Sequence, residues 1–144
     1  MNFREHLLLL GASQEMINYA GDKTMQEFID TCDVTFYLLW LYRYSQPNDE
    51  STFRNLILAQ GHLINSIRHL FKSQESLNSI QAALAYGDNK ISKQQLGMIC
   101  LNANYKEDVL LCAKKGNYTQ NINNTPDKEG CDILRYYLCW RNLS

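Results

Sequence analysis

Residues 33–44 read Asp-Val-Thr-Phe-Tyr-Leu-Leu-Trp-Leu-Tyr-Arg-Tyr, and the reading of this stretch decides the fold. Wound at 100° per residue, it carries apolar side chains almost all round. A helix of that kind is enclosed by other helices; one lying on a surface would show a polar face. A strand reading has no support, because no long alternation of apolar and polar residues occurs anywhere in the chain. The stretch therefore predicts an all-α fold with Asp33–Tyr44 at its centre. Residues 45–51, with Pro47 and Asp49, break the helix.

Working outward, helical punctuation recurs on both sides. Ala12–Ala20 predicts a short helix closed by Gly21, which can take the left-handed conformation of a helix end. Thr24-Met25-Gln26-Glu27 is a capping-box pattern and starts a helix that runs to about Cys32. Downstream, Ser51 is the expected cap of the longest helix, Thr52–Lys72. Phe53, Leu56, Ile57, Leu63, Ile64, Ile67, Leu70 and Phe71 share one of its faces. Ser76–Tyr86 follows, then a turn at Gly87–Lys90 and a second capping box at Ser92–Gln95. The next helix buries Leu96, Ile99, Cys100 and Ala103. The pattern leaves open whether it runs on through Leu110 and Ala113 or breaks near Asn102–Tyr105. Gly116–Asn124 reads as a polar loop. Thr125 as cap and Pro126 at the first helical position open the last helix, which carries Cys131, Ile133, Leu134, Tyr137 and Leu138. No repeat or linker divides the chain, so the expectation is a single helical domain over residues 1–144, a compact bundle of about six to eight helices.

Composition excludes several classes. The chain has 144 residues, 45% of them hydrophobic and 11% aromatic, which is too apolar for a disordered segment. Fourteen Lys and Arg against fifteen Asp and Glu leave a net charge of −1, without the basic excess a nucleic-acid partner requires. The longest apolar run lies in Val34–Tyr42, far short of the ~20 residues that span a bilayer, so no membrane partner is expected. Leu7–Leu10, preceded by Glu5 and His6, is too short and lacks the basic start of a signal peptide. Five cysteines, an odd count with no C-x-x-C spacing, predict free thiols and a cytoplasmic location.

Chemistry is sparse. His62 and His69 fall on one side of the predicted long helix, about 10 Å apart, too far for a shared metal. They read as solvated histidines on a polar face. Cys32 sits beside Asp33, whose charge disfavours a thiolate, while Cys100, Cys112 and Cys131 fall on apolar stripes and read as buried structural residues. No phosphate loop, H-E-x-x-H or G-x-S-x-G motif is present. Asp49-Glu50 and Glu107-Asp108 are adjacent pairs that diverge on a helix. No catalytic residue, cofactor site or metal ligand is predicted, and the expectation is a non-enzymatic protein.

The aromatics say more. Tyr37, Trp40 and Tyr44 step along one side of the central helix and are expected in the core. On the last helix, Lys128, Asp132 and Arg135 form a polar stripe with i,i+4 and i,i+3 charge pairing. Ile133, Tyr136, Tyr137 and Trp140 add apolar area beyond its main buried face. Two readings stand: the helix is wedged between two layers, or Tyr136 and Trp140 face a partner. The candidate partner-binding residues are Ile133, Tyr136, Trp140 and, in the preceding loop, Tyr118.

A resemblance joins these pieces. Gly11–Glu15, Gly21–Glu27, Thr31-Cys32, Tyr37–Leu41, Ser79–Tyr86, Lys90–Leu96 and Cys131–Leu138, in this order and spacing, resemble a small all-helical bacterial and phage domain labelled an immunity protein of polymorphic toxin systems. The chain departs from it at Phe36-Tyr37, where the family often has Asp-Trp, and at Asn104–Asp108, which replaces Ala-rich late helices. The resemblance implies a helical protein that binds and blocks a toxin. A phage-encoded inhibitor of a bacterial defence enzyme fits the same features. Two rival expectations are a self-associating module, with Ile133, Tyr136 and Trp140 forming a two-fold contact in a homodimer, and an enzyme using His62 with a carboxylate from another helix.

Overall fold

The computed structural model describes residues 1–101 and 127–141. Among these the chain forms eight α-helices: α1 Phe3–Leu10, α2 Gln14–Ala20, α3 Met25–Thr31, α4 Thr35–Ser45, α5 Glu50–Asn65, α6 Gln74–Gly87, α7 Lys93–Leu101 and α8 Lys128–Tyr137. A single 3-10 turn covers Arg68–Leu70, and the described residues contain no strand. The all-α architecture is the one the enclosed stretch predicts.

Most of α4 is enclosed as expected. Thr35, Tyr37, Leu38, Leu39, Leu41 and Tyr42 are buried. Tyr44 departs from expectation: it is 48% exposed, on the outer side of the last turn of α4, whose inner side carries the buried Tyr42 and Gln46. There its ring lies against Trp40, 4.8 Å away, and beneath the Arg43 guanidinium. The entry to α4 is fixed by Tyr19. Its hydroxyl donates to the Asp33 carboxylate and accepts from the Asp33 amide at 3.0 Å. Burial pushes the Tyr19 hydroxyl well above its ordinary pKa, so it stays a donor.

Two apolar clusters share α5. The first collects Phe3, Leu7, Ile17, Phe28 and the α4 leucines with Leu56, Ala59 and Leu63 of α5 and Leu134 of α8. The second joins Ile57 and Ile64, on another face of α5, to Ile80, Ala83 and Tyr86 of α6 and Leu96 of α7. Helices α5 and α6 lie very close. A Cβ at Gly61 would stand 3.1 Å from a Leu84 methyl, and one at Gly87 would stand 2.9 Å from the Leu58 Cα. Gly87 therefore does more than make a turn: it ends α6 where no side chain fits against α5.

Local signals fared unevenly. Both capping boxes form: Thr24 with Glu27, and Ser92 with Gln95. Gly21 closes α2 at φ +55°. Ser13 caps α2 and Ser73 caps α6, each slightly earlier or later than the periodicity suggests. Helix α1, capped by Asn2, is not anticipated by the leucine run. The long helix is the main correction. It begins at Glu50, with Asp49 rather than Ser51 as cap, and stops at Asn65 instead of Lys72. The Ser66 hydroxyl turns back to the Leu63 carbonyl, and the chain tightens into i→i+3 bonds from Ile67 to Ile64 and from Leu70 to Ile67. A serine hydroxyl that takes up a helical carbonyl competes with the ladder. Leu70 consequently points outward, 62% exposed, and does not share a face with Leu56. The predictions for Ala103, Leu110, Ala113 and Gly116–Asn124, and for any break near Asn104, lie outside the described residues. The last helix is a second correction: it begins at Lys128 with Asp127 as its cap in place of the expected Thr125, because the Asp127 carboxylate takes up the Gly130 amide.

Candidate protein interface

Helix α8 starts with Asp127, whose carboxylate accepts from the Gly130 amide at 2.9 Å. Its backbone amide donates to the Asp33 carbonyl at 2.6 Å, which sets the first turn of α8 beside the start of α4. Gly130 is needed in that turn: a Cβ there would collide with the Asp127 carboxylate and stand 2.9 Å from Thr35. Gly130, Cys131 and Leu134 are buried, and Leu138 follows them inward.

The polar stripe expected on α8 is only partly a solvent face. Arg135 pairs with Asp132 at 2.7 Å, as the i,i+3 spacing predicts, whereas the expected i,i+4 pair of Lys128 with Asp132 does not form, the Asp132 carboxylate being taken by the guanidinium. Its other nitrogen donates to the Cys32 carbonyl at 2.7 Å and the Ile29 carbonyl at 3.1 Å. These are carbonyls at the C-terminal end of α3, where a helix leaves acceptors unpaired and the dipole favours a cation. Cys131 lies one turn before Arg135, on the side of α8 that faces Cys32. The neighbouring Cys32 thiol and burial push the Cys131 thiol up. For Cys32 the effect of the Cys131 thiol outweighs burial and the raising effect of Asp33, so its thiol is held below the ordinary value, against the sequence expectation.

Beyond Tyr137 the chain is extended, and two carboxamides pin it. Asn55 of α5 donates to the Tyr137 carbonyl at 2.9 Å and accepts from the Cys139 amide at 2.8 Å. Gln46 does the same for Arg141, donating to its carbonyl at 3.0 Å and accepting from its amide at 2.8 Å. The Arg141 guanidinium reaches Thr52 and Asp49 at the start of α5. Each carboxamide imitates a backbone partner, so the tail is satisfied without a strand.

Of the predicted partner-binding residues, the structure brings Ile133 and Trp140 inward, against the first cluster. Trp140 stands edge-on to Tyr42, with ring centroids 5.2 Å apart, and its indole nitrogen is buried without an acceptor. It follows the helix rather than belonging to it, so it does not share a face with Tyr136. Tyr118 lies outside the described residues. Tyr136 alone of the described members is open, 81% exposed. Helix α8 is thus wedged against α4 and α5, with one tyrosine left outside.

His62 departs from the solvated face assigned to it, being half-buried. Its ring stacks on Tyr137, with centroids 3.7 Å apart and planes within 5°. Tyr136 in turn meets Tyr137 edge-on at 4.9 Å. Three rings therefore run from the α5–α8 seam to solvent. Nothing in the spacing of one helix marks such a pair, since the partner comes from α8. His69 sits apart, on the 3-10 turn.

Burial lowers the His62 pKa from its ordinary 6.5, and Asp88 offsets this only in part. The unfolded chain thus takes up this proton more readily than the folded one. The stack contributes fully above the ordinary value and is lost as the pH falls through the lower, folded one. Thermal unfolding at about pH 7.5 and about pH 5 checks this: the midpoint of the wild type falls more than that of His62→Phe, which keeps a ring and cannot titrate. Equal falls would contradict it.

Elsewhere, a cavity of about 760 Å³ lies between α6 and α7, lined by Glu75, Asn78, Gln81, Ala82, Ala85, Ile91 and Ile99. Glu75 is the one acidic or basic side chain among its described lining residues. Among the described residues no three His, Cys, Asp or Glu side chains gather as a metal site, and no helix is long and apolar enough to cross a membrane. Comparison of the chain with protein-family models, with curated proteins and with solved structures gives no match.

Proposed function

We propose that this chain is a non-enzymatic binding protein, immunity-protein-like, which blocks a toxin or a defence enzyme through the outer face of α8. The observation that carries the reading is Tyr136: a large aromatic ring left 81% exposed on a helix whose other sides are tied down. Tyrosine is a frequent interface anchor, because it covers much area for little lost freedom. Tyr137 already braces this ring, which lowers the cost of ordering it on binding. Lys128, Glu129 and Asp132 are exposed beside it and supply the polar rim of such a contact.

The test is retention of a stoichiometric partner by the tagged chain in host lysate, followed by measurement with Tyr136→Ala. A loss of affinity of roughly 30-fold or more is expected, the scale of a hot-spot residue. The reading fails if the folded wild-type chain retains no stoichiometric partner, or if Tyr136→Ala retains it equally. A concentration-dependent dimer abolished by the same change would overturn it in favour of self-association.

A further inference from the structure

Cys32 and Cys131 are fully buried and come from opposite ends of the chain, yet they lie in one apolar cluster. The helix geometry requires it. Asp127, Cys131 and Arg135 lie one turn apart on a single face of α8. The first touches the Asp33 carbonyl and the last touches the Cys32 and Ile29 carbonyls. The residue between them therefore faces Cys32, within the same buried apolar cluster. The Cys32 thiol also donates to the Val34 carbonyl at 3.4 Å, and the Tyr19 hydroxyl lies beside it. Cys139, by contrast, is exposed.

We propose that Cys32 and Cys131 are a built redox site: on exposure to a peroxide they form an intramolecular disulfide that locks α8 to the end of α3. The Cys32 thiolate attacks one peroxide oxygen, the O–O bond breaks, and the leaving hydroxide takes up a proton to become water. The Cys131 sulfur then attacks the sulfenic acid formed on Cys32. The S–S bond forms, and the sulfenic hydroxyl leaves with the second thiol proton as another water. Two thiols are oxidised, one hydrogen peroxide is reduced, and the oxidant is small enough to reach a buried pair through a brief opening of α8. The disulfide closes a loop of roughly 100 residues, a length at which a cross-link strongly restricts the unfolded chain. It forms whether or not α8 engages a partner.

The experiment treats the full chain with hydrogen peroxide, alkylates the remaining thiols under denaturing conditions and maps the peptides without reduction. The expected product is a monomer in which the peptides of Cys32 and Cys131 are linked. Its unfolding midpoint is raised by roughly 10 °C, and reductant reverses both changes. Cys139→Ser, which removes the exposed thiol, leaves the link intact; Cys131→Ser abolishes it. Should Cys131→Ser fail to fold, the wild-type map decides alone. Recovery of Cys32 and Cys131 as alkylated or singly oxidised residues while Cys139 is consumed would overturn the proposal, as would linkage of either one to a different cysteine.

Discussion

Arg135→Ala is expected to destabilise the fold by roughly 3 kcal/mol, one of the two largest effects of a single substitution that the structure implies. The weight does not lie in the ion pair. Asp132 is well exposed, and an exposed pair one helical turn apart contributes at most about 1 kcal/mol. It lies in the two charge-assisted bonds to the Ile29 and Cys32 carbonyls, which close the end of α3 and hold α8 against it. Removing the guanidinium leaves those carbonyls short of a donor in a partly buried seam. Asp132→Ala should thus cost far less than Arg135→Ala, and Arg135→Lys should recover only part, because an ammonium lacks the planar fork that serves three acceptors at once. Denaturant unfolding of the three variants measures this. A cost for Arg135→Ala no larger than that for Asp132→Ala would show that the seam does not depend on it.

The second large effect is Tyr137→Ala, at about 2–3 kcal/mol. The Tyr137 ring packs on the first apolar cluster and is sandwiched between the His62 face and the Tyr136 edge. Truncation opens a cavity along α5 and removes both ring contacts. Because Tyr137 also ends α8, where Asn55 grips its carbonyl, the loosened turn should fray into the tail. Denaturant unfolding gives the size of the loss. A cost below about 1 kcal/mol would mean that the stack is incidental.

The helical class was legible from one apolar stretch, because twelve residues with no polar side are longer than most buried strands and helix caps flank them on both sides. Capping boxes were legible for a similar reason: they are local, and all their atoms lie within four residues. Two kinds of feature failed. The end of α5 at Asn65 is local, but it turns on the Ser66 hydroxyl choosing the Leu63 carbonyl, while the apolar period runs on through Leu70 as if the helix continued. The rest was non-local. The face of α8 was legible only as an ambiguity. Tyr136 and Tyr137 look alike in sequence, and which of them is covered depends on where α5 lies. Trp140 was placed on the helix because the stripe reaches it, whereas the helix stops at Tyr137. The anchors Asn55, Gln46 and Arg135 grip backbone atoms up to about a hundred residues away. A side chain bonded to backbone leaves no mark on the residue type of its partner.

The most direct measurement is thermal unfolding of Tyr136→Ala beside Tyr137→Ala in otherwise unaltered protein. If α8 is seated by its inner ring and keeps the outer one for a partner, the Tyr136 variant melts within about 1 °C of wild type while the Tyr137 variant melts roughly 8 °C lower. Comparable losses in the two variants would contradict this, because Tyr136 would then be part of the folded core and unavailable as an anchor.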